Sequence, residues 1–113
     1  MKPSNEMISA LERCGVEVSV SEDMLTITYH TAHGGEENEE IPSSQFGDRN
    51  IAIWLRYTYD FYDVSYETYI WLDDTGHGKN GAPSEMEDVL ADKKEWERKL
   101  SELADAAERV ACG

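Results

Sequence analysis

The last thirty residues constrain the fold most. Ser84-Glu85-Met86-Glu87 has the pattern of a capping box, in which two side chains satisfy free N–H groups at a helix start. Met86, Val89, Leu90, Trp96, Leu100, Leu103, Ala104, Ala107 and Val110 then recur at helical spacing to about residue 111. Such a helix is roughly 40 Å long and carries one apolar stripe that has to be covered. It is longer than a four-stranded sheet needs, so the reading is that part of it protrudes or forms a homodimer with a second copy.

The rest of the chain supplies the cover. Residues 4–14 read as a short helix, with Ser4 as cap, Met7, Ile8, Leu11 and Cys14 as stripe, and Gly15 as left-handed stop. Val16, Val18 and Val20 alternate with polar residues over 16–21, and Leu25, Ile27 and Tyr29 do so over 24–31. That is the pattern of two half-buried strands joined at Glu22-Asp23. Residues 32–50 lose periodicity and read as a long acidic loop, with room for one short strand near Ile41. Residues 51–60 and 63–72 are rich in β-branched and aromatic side chains and alternate at period two. Paired about Phe61-Tyr62, they set Ile53 opposite Ile70, Leu55 opposite Thr68, Arg56 opposite Glu67 and Trp54 opposite Tyr69. Residues 73–83, with Gly76, Gly78, Gly81 and Pro83, form a connector.

The expectation is therefore a single α+β domain over 1–113. A four-stranded antiparallel sheet is flanked by a short N-terminal and a long C-terminal helix, in the order α-β-β-β-β-α. Its expected core is Val18, Leu25, Ile27, Ile53, Leu55, Ile70, Val89, Trp96 and Leu100.

Charge is the dominant global property. The chain has 24 acids against 10 bases, a net charge of −14. Residues 84–113 hold 9 of the acids and 5 of the bases, so the excess lies mainly before the long helix. A field of that sign repels nucleic acid and anionic membrane and attracts basic surfaces. It also serves solubility or a salty environment. The opening Met1-Lys2-Pro3-Ser4-Asn5-Glu6 carries no apolar signal region, which reads as a cytoplasmic protein. Cys14 and Cys112 match no zinc or redox spacing; Cys14 reads as a small buried hydrophobe.

Motifs for chemistry are sparse. His30 and His33 with Glu36 and Glu37 have ligand-type side chains, but they straddle a strand end and a glycine turn that fixes no geometry. Asp73, Asp74, His77 and Lys79 contain a carboxylate–histidine pair suited to acid–base work, in a segment whose composition is also that of any loop. No phosphate-binding loop is present, and no cofactor or metal is implied. Trp54, Tyr69 and Trp71 would share one sheet face, either as core under the long helix or as an exposed patch.

The outline of an opening helix, two alternating strands, acidity and a terminal helix resembles the secretion chaperones of type III effectors. That family places a helix between its third and fourth strands, for which no segment here reads. The outline also resembles frataxin-like proteins, whose acidic first-helix ridge is missing. Neither resemblance carries a residue over. In size and charge the chain is similar to small phage-encoded inhibitors of restriction or CRISPR nucleases, which implies a nucleic-acid mimic.

The favoured expectation is a non-catalytic acidic protein that docks on a basic protein surface, without binding nucleic acid or membrane directly. Its contact residues are expected to be Glu36, Glu37, Glu39 and Glu40, Asp60, Phe61, Tyr62 and Asp63, and Asp73 and Asp74. A dimeric chaperone or adaptor using an apolar sheet face, and a small enzyme using His30, His33 or His77, are the alternatives.

Overall fold

The computed structural model describes residues 1–113. The chain runs α1 (Asn5–Glu12), β1 (Glu17–Val20), β2 (Met24–His30), β3 (Glu36–Pro42), a 3-10 turn (Ser43–Gln45), α2 (Asp48–Asp60), α3 (Val64–Ile70) and α4 (Met86–Cys112). It is an α+β fold with one three-stranded antiparallel meander, in the order β1-β2-β3. The long helix α4 is its spine and packs against α1, α2 and α3.

The N-terminal half follows the sequence pattern closely. Ser4 caps α1, its side chain accepting from the N–H of Met7 at 3.0 Å. Gly15 takes a φ of +86°, the left-handed region where a side chain is strained. In the β1–β2 pair Val18 lies opposite Ile27 and Val20 opposite Leu25, and Leu25 and Ile27 are fully buried.

Two corrections concern residues 32–72. The segment 32–50 contains the strand β3, with Leu25 opposite Ile41, Ile27 opposite Glu39, Tyr29 opposite Glu37 and His30 opposite Glu36. Its one fully apolar inward residue is Ile41, so alternation of apolar and polar types could not announce it. The second correction is larger. Residues 51–60 lie in α2 and 64–70 form α3, so the sheet has three strands rather than four, and the expected Ile53–Ile70 hairpin does not exist.

The physical reason is a periodicity that fits both structures. Ile51, Ala52 and Leu55 are buried against the core and Tyr59 and Tyr62 pack beside them, a helical row. Ile53, Tyr57 and Phe61 form the other row, also helical in spacing. Isoleucine and tyrosine at nearly every second place mimic a strand because apolar residues occupy both rows. Burial of the α4 stripe decides the matter: α2 supplies a matching helical face, and propensity yields to packing.

Of the expected core, Leu25, Ile27, Leu55, Val89, Trp96 and Leu100 are buried, and Val18 packs at the core edge. Ile53 and Ile70 are exposed. Arg56 does not meet Glu67; it turns to α4, where its guanidinium donates to Asp105 at 2.6 Å and to Glu108 at 2.7 and 3.0 Å. Ser84 lies one residue before the cap position of α4, which is Glu85, and no side chain caps that helix. No helix is long and apolar enough to cross a membrane.

Leu55 and Ile53 looked equivalent in the sequence and are opposite in the fold. Leu55→Ala should cost about 2–5 kcal/mol in a urea melt. Ile53→Ala should change stability by no more than about 0.5 kcal/mol. Equal losses at the two positions would return α2 to a strand.

Candidate functional site

The pleat of β3 divides the glutamate cluster. Glu36 and Glu40 project to solvent with Asn38, on the polar outer face that also bears Glu17, Ser19, Thr26, Thr28 and His30. His30 lies 3.8 Å from Glu17 and 4.0 Å from Glu36. Glu37 and Glu39 point inward beside Ile41, and each is tied to a helix. The ammonium of Lys93 donates to both oxygens of Glu37, at 2.9 and 3.2 Å, with both side chains nearly buried. The indole Nε1–H of Trp54 donates to Glu39 at 2.8 Å.

Both inward carboxyls sit above the ordinary glutamate range, and burial is the main cause. Lys93 pulls Glu37 back and Trp54 does the same for Glu39, while the neighbouring Glu40 raises Glu39 further. These two residues hold the sheet to the helices; the outer face presents Glu36 and Glu40.

The α2–α3 corner gathers the next group. Asp63 caps α3 by accepting from the N–H of Tyr66 at 3.1 Å. Asp60 is exposed, and Phe61 is exposed and stacked on Tyr57 with ring centroids 4.6 Å apart. Tyr62 separates from them: it is half-buried against the core, and its buried hydroxyl has no protein partner. Burial and the charges of Glu37, Glu67 and Glu97 hold that phenol protonated.

In the connector, Asp73 accepts from the N–H and hydroxyl of Thr75 and from the N–H of His77, at 2.8, 2.6 and 3.1 Å. The Thr75 hydroxyl bond is the main cause that lowers its pKa. Thr75 also lies 2.9 Å from His77 Nδ1. The set is an exposed turn that organises itself, and Asp74 extends from it. His33 faces Asp88 at 3.6 Å, so the three histidines belong to three separate neighbourhoods. No group of three or more His, Cys, Asp and Glu side chains is arranged to hold a metal ion.

Trp54, Tyr69 and Trp71 do not form a sheet face. Trp54 belongs to α2, Tyr69 is exposed on α3, and Trp71 follows α3 with the Lys93 ammonium 5.1 Å from its ring. The apolar side of the sheet is instead covered by the helices, with Tyr29 stacked on Trp96 at 6.1 Å.

Ile53, expected in the core, and Tyr57, which lies outside the expected contact residues, complete this corner. With Phe61 they form a stripe on the outer side of α2, 56%, 64% and 71% exposed. Together with Gln45, Asn50, Trp54 and Thr58 they line a groove of about 330 Å³. Their spacing of four was present in the sequence, hidden by the competing period-two pattern.

Comparison with protein-family models, curated proteins and solved structures finds no match. What the surface can bind is therefore read from its own chemistry.

The inward glutamates yield two measurable outcomes. Lys93→Ala leaves Glu37 buried without its cation and should cost about 3–5 kcal/mol in a urea melt; a loss below about 1 kcal/mol would mean the pair is solvated. Glu39→Gln keeps an acceptor for Trp54 and removes a charge that burial disfavours. Because the folded pKa is raised, the penalty is full above that pKa and absent below the unfolded value. The Gln variant should melt higher than the parent at pH 7 and converge with it as the pH falls below about 4. A lower melting point at pH 7 would show the ionised carboxylate to be stabilising.

Proposed function

We propose that this chain is a non-catalytic acidic binding protein that docks on a basic protein surface and competes there with nucleic acid. The observation that carries the reading is how little of the acidity is compensated within the fold. Of 24 acids, only Glu37, Glu102, Asp105 and Glu108 lie within 4.0 Å of a lysine or arginine nitrogen. Three of the bases, Arg56, Lys93 and Lys99, are engaged in those same pairs. The exposed carboxylates among the rest leave an outward negative field over the β-sheet face and the α2–α3 corner.

That field suits a partner whose lysines and arginines normally meet phosphates. Carboxylates satisfy the same donors, and the long-range attraction raises the association rate and falls with salt. Inhibitors of phage type that mimic nucleic acid work through such a surface. The helix α4 offers less of it: Lys94, Arg98 and Arg109 interleave with Glu102 and Asp105 on its exposed side.

Affinity capture from a lysate followed by mass spectrometry tests the reading. The expected catch is a basic nucleic-acid-binding protein that is released by raising the salt and displaced by a DNA duplex. A partner that survives 1 M salt and ignores DNA would sink it. On the captured partner, Glu36→Lys with Glu40→Lys should slow association and flatten the salt dependence without lowering the melting temperature. An unchanged on-rate would remove the outer sheet face from the contact.

A further inference from the structure

We propose that the groove on α2 is the docking site for a short basic amphipathic helix of the partner. Apolar side chains of that helix lie along Ile53, Trp54, Tyr57 and Phe61, and its lysines or arginines meet Asp60 and Asp63. The inference rests on the reading of the chain as a binder of basic proteins and adds the contact that gives the complex its lifetime.

Three features of the groove select that occupant. The first is shape. From Asn50 to Phe61 the stripe runs about 16 Å along the helix, three turns, which matches a partner helix of similar length lying beside it. The second is the nature of the surface. None of the lining residues Gln45, Asn50, Ile53, Trp54, Tyr57, Thr58 and Phe61 is charged. Tyr57 and Phe61 are stacked on one another, which limits the rotamers open to either ring. Ordered aromatics bury large area at small entropic cost, which is the character of an interface anchor.

The third is charge. Asp60 closes the last turn of α2, where the helix C-terminus adds negative potential, and the exposed Asp63 follows it as the cap of α3. Arg49 stands one turn before Ile53 at the other end. Arg56, the remaining base of α2, is turned away and held by Asp105 and Glu108. The groove is thus apolar along its length and negative at its Phe61 end, where a cation can also rest on an aromatic face.

A second copy of the chain suits it less well. Each copy carries −14, so two copies meeting here would set the acids of the Phe61 end against a second strongly negative surface.

The test uses the full chain labelled with ¹⁵N and three synthetic peptides of four turns. One is amphipathic with leucines and lysines; the second replaces its lysines with glutamates; the third keeps the lysines and replaces its leucines with serines. The first peptide should shift the Trp54 indole and the amides of Asn50 to Phe61, and the other two should bind at least tenfold more weakly. Phe61→Ser and Ile53→Ser, both at exposed positions, should keep the parent's melting temperature and weaken the first peptide tenfold or more. Asp60→Asn with Asp63→Asn should reduce its salt dependence; Asn still caps α3.

Equal binding of the serine peptide, equal binding of the glutamate peptide, or shifts confined to Glu17, Glu36 and Glu40 would overturn the groove. So would sedimentation showing a dimer that Ile53→Ser makes monomeric, since a second copy would then own it. The two readings fail separately. If a captured basic partner is released by salt and displaced by DNA but is indifferent to Phe61→Ser, the acidic binder stands and the groove falls. If the captured partner is neither, while the leucine–lysine peptide still fills the groove, the nucleic-acid competitor falls.

Discussion

The fold depends on a row of polar side chains near the N-terminal half of α4 that fastens the β2–β3 hairpin. Asp92 is buried and accepts the N–H groups of His33 and Gly35 at 3.1 and 3.3 Å. Lys93 holds Glu37. Glu95 accepts the N–H of Ala32 at 3.1 Å and the hydroxyl of Tyr29 at 2.5 Å, a bond that pushes the Tyr29 phenol up to about 12. A side chain at Gly35 would displace this anchor, because a Cβ would stand 2.6 Å from Thr31 Oγ1 and 2.9 Å from Asp92. Buried charges of this kind are a weak source of stability, since desolvation offsets their attraction. Their effect is on register. A slip of β3 by one residue would turn Glu37 outward, strand Lys93 in the interior and bury Glu36 and Glu40 instead.

That dependence explains which parts of the fold were legible in the sequence. The segments α1, β2 and α4 each bury one face against a continuous core, and their apolar period shows it; β1 follows the same period at the edge, where Val18 packs on the core and Val20 is exposed. The strand β3 does not, because two of its three inward positions are glutamates whose partners, Lys93 and Trp54, lie 56 and 15 residues away. No local pattern encodes such a partner. Helix α2 failed for the opposite reason: both of its faces are apolar, one for α4 and one left to solvent, and the sum reads as alternation. The missing Asn-Gly at Phe61-Tyr62 was the local clue against a hairpin. The same pleat explains why an acidic run in the sequence became two kinds of glutamate in the fold.

The acids also differ in how they respond to pH. Glu108 is held down by its hydrogen bonds to Arg56, so it contributes stability above the ordinary glutamate range that is lost as the pH falls through its lowered value. Glu37 and Glu39, held up by burial, act in the opposite sense and are relieved by protonation. Acid therefore loosens the α2–α4 clamp while easing the sheet–helix contacts. A chain with this much negative charge also loses self-repulsion on protonation, which works in the same direction as the buried pair.

The two faces of α2 have complementary consequences. Its inner row is fixed by Ile51, Ala52 and Leu55 in the core and by Arg56 on Asp105 and Glu108, so the helix has little freedom to rotate. Its outer row is therefore presented in one orientation, with Trp54 further pinned through its indole to Glu39 on β3. A rigid apolar stripe forfeits little entropy on binding, which favours a slow off-rate. In the proposed complex the surrounding carboxylates act at longer range and would set how fast a basic partner arrives. Charge alone would give a fast, salt-sensitive and promiscuous contact, and the stripe alone would invite self-association. Placed at one corner, the acids of the α2–α3 turn would restrain self-association, and in the proposed complex the anchored α2 would select among the basic surfaces that they attract.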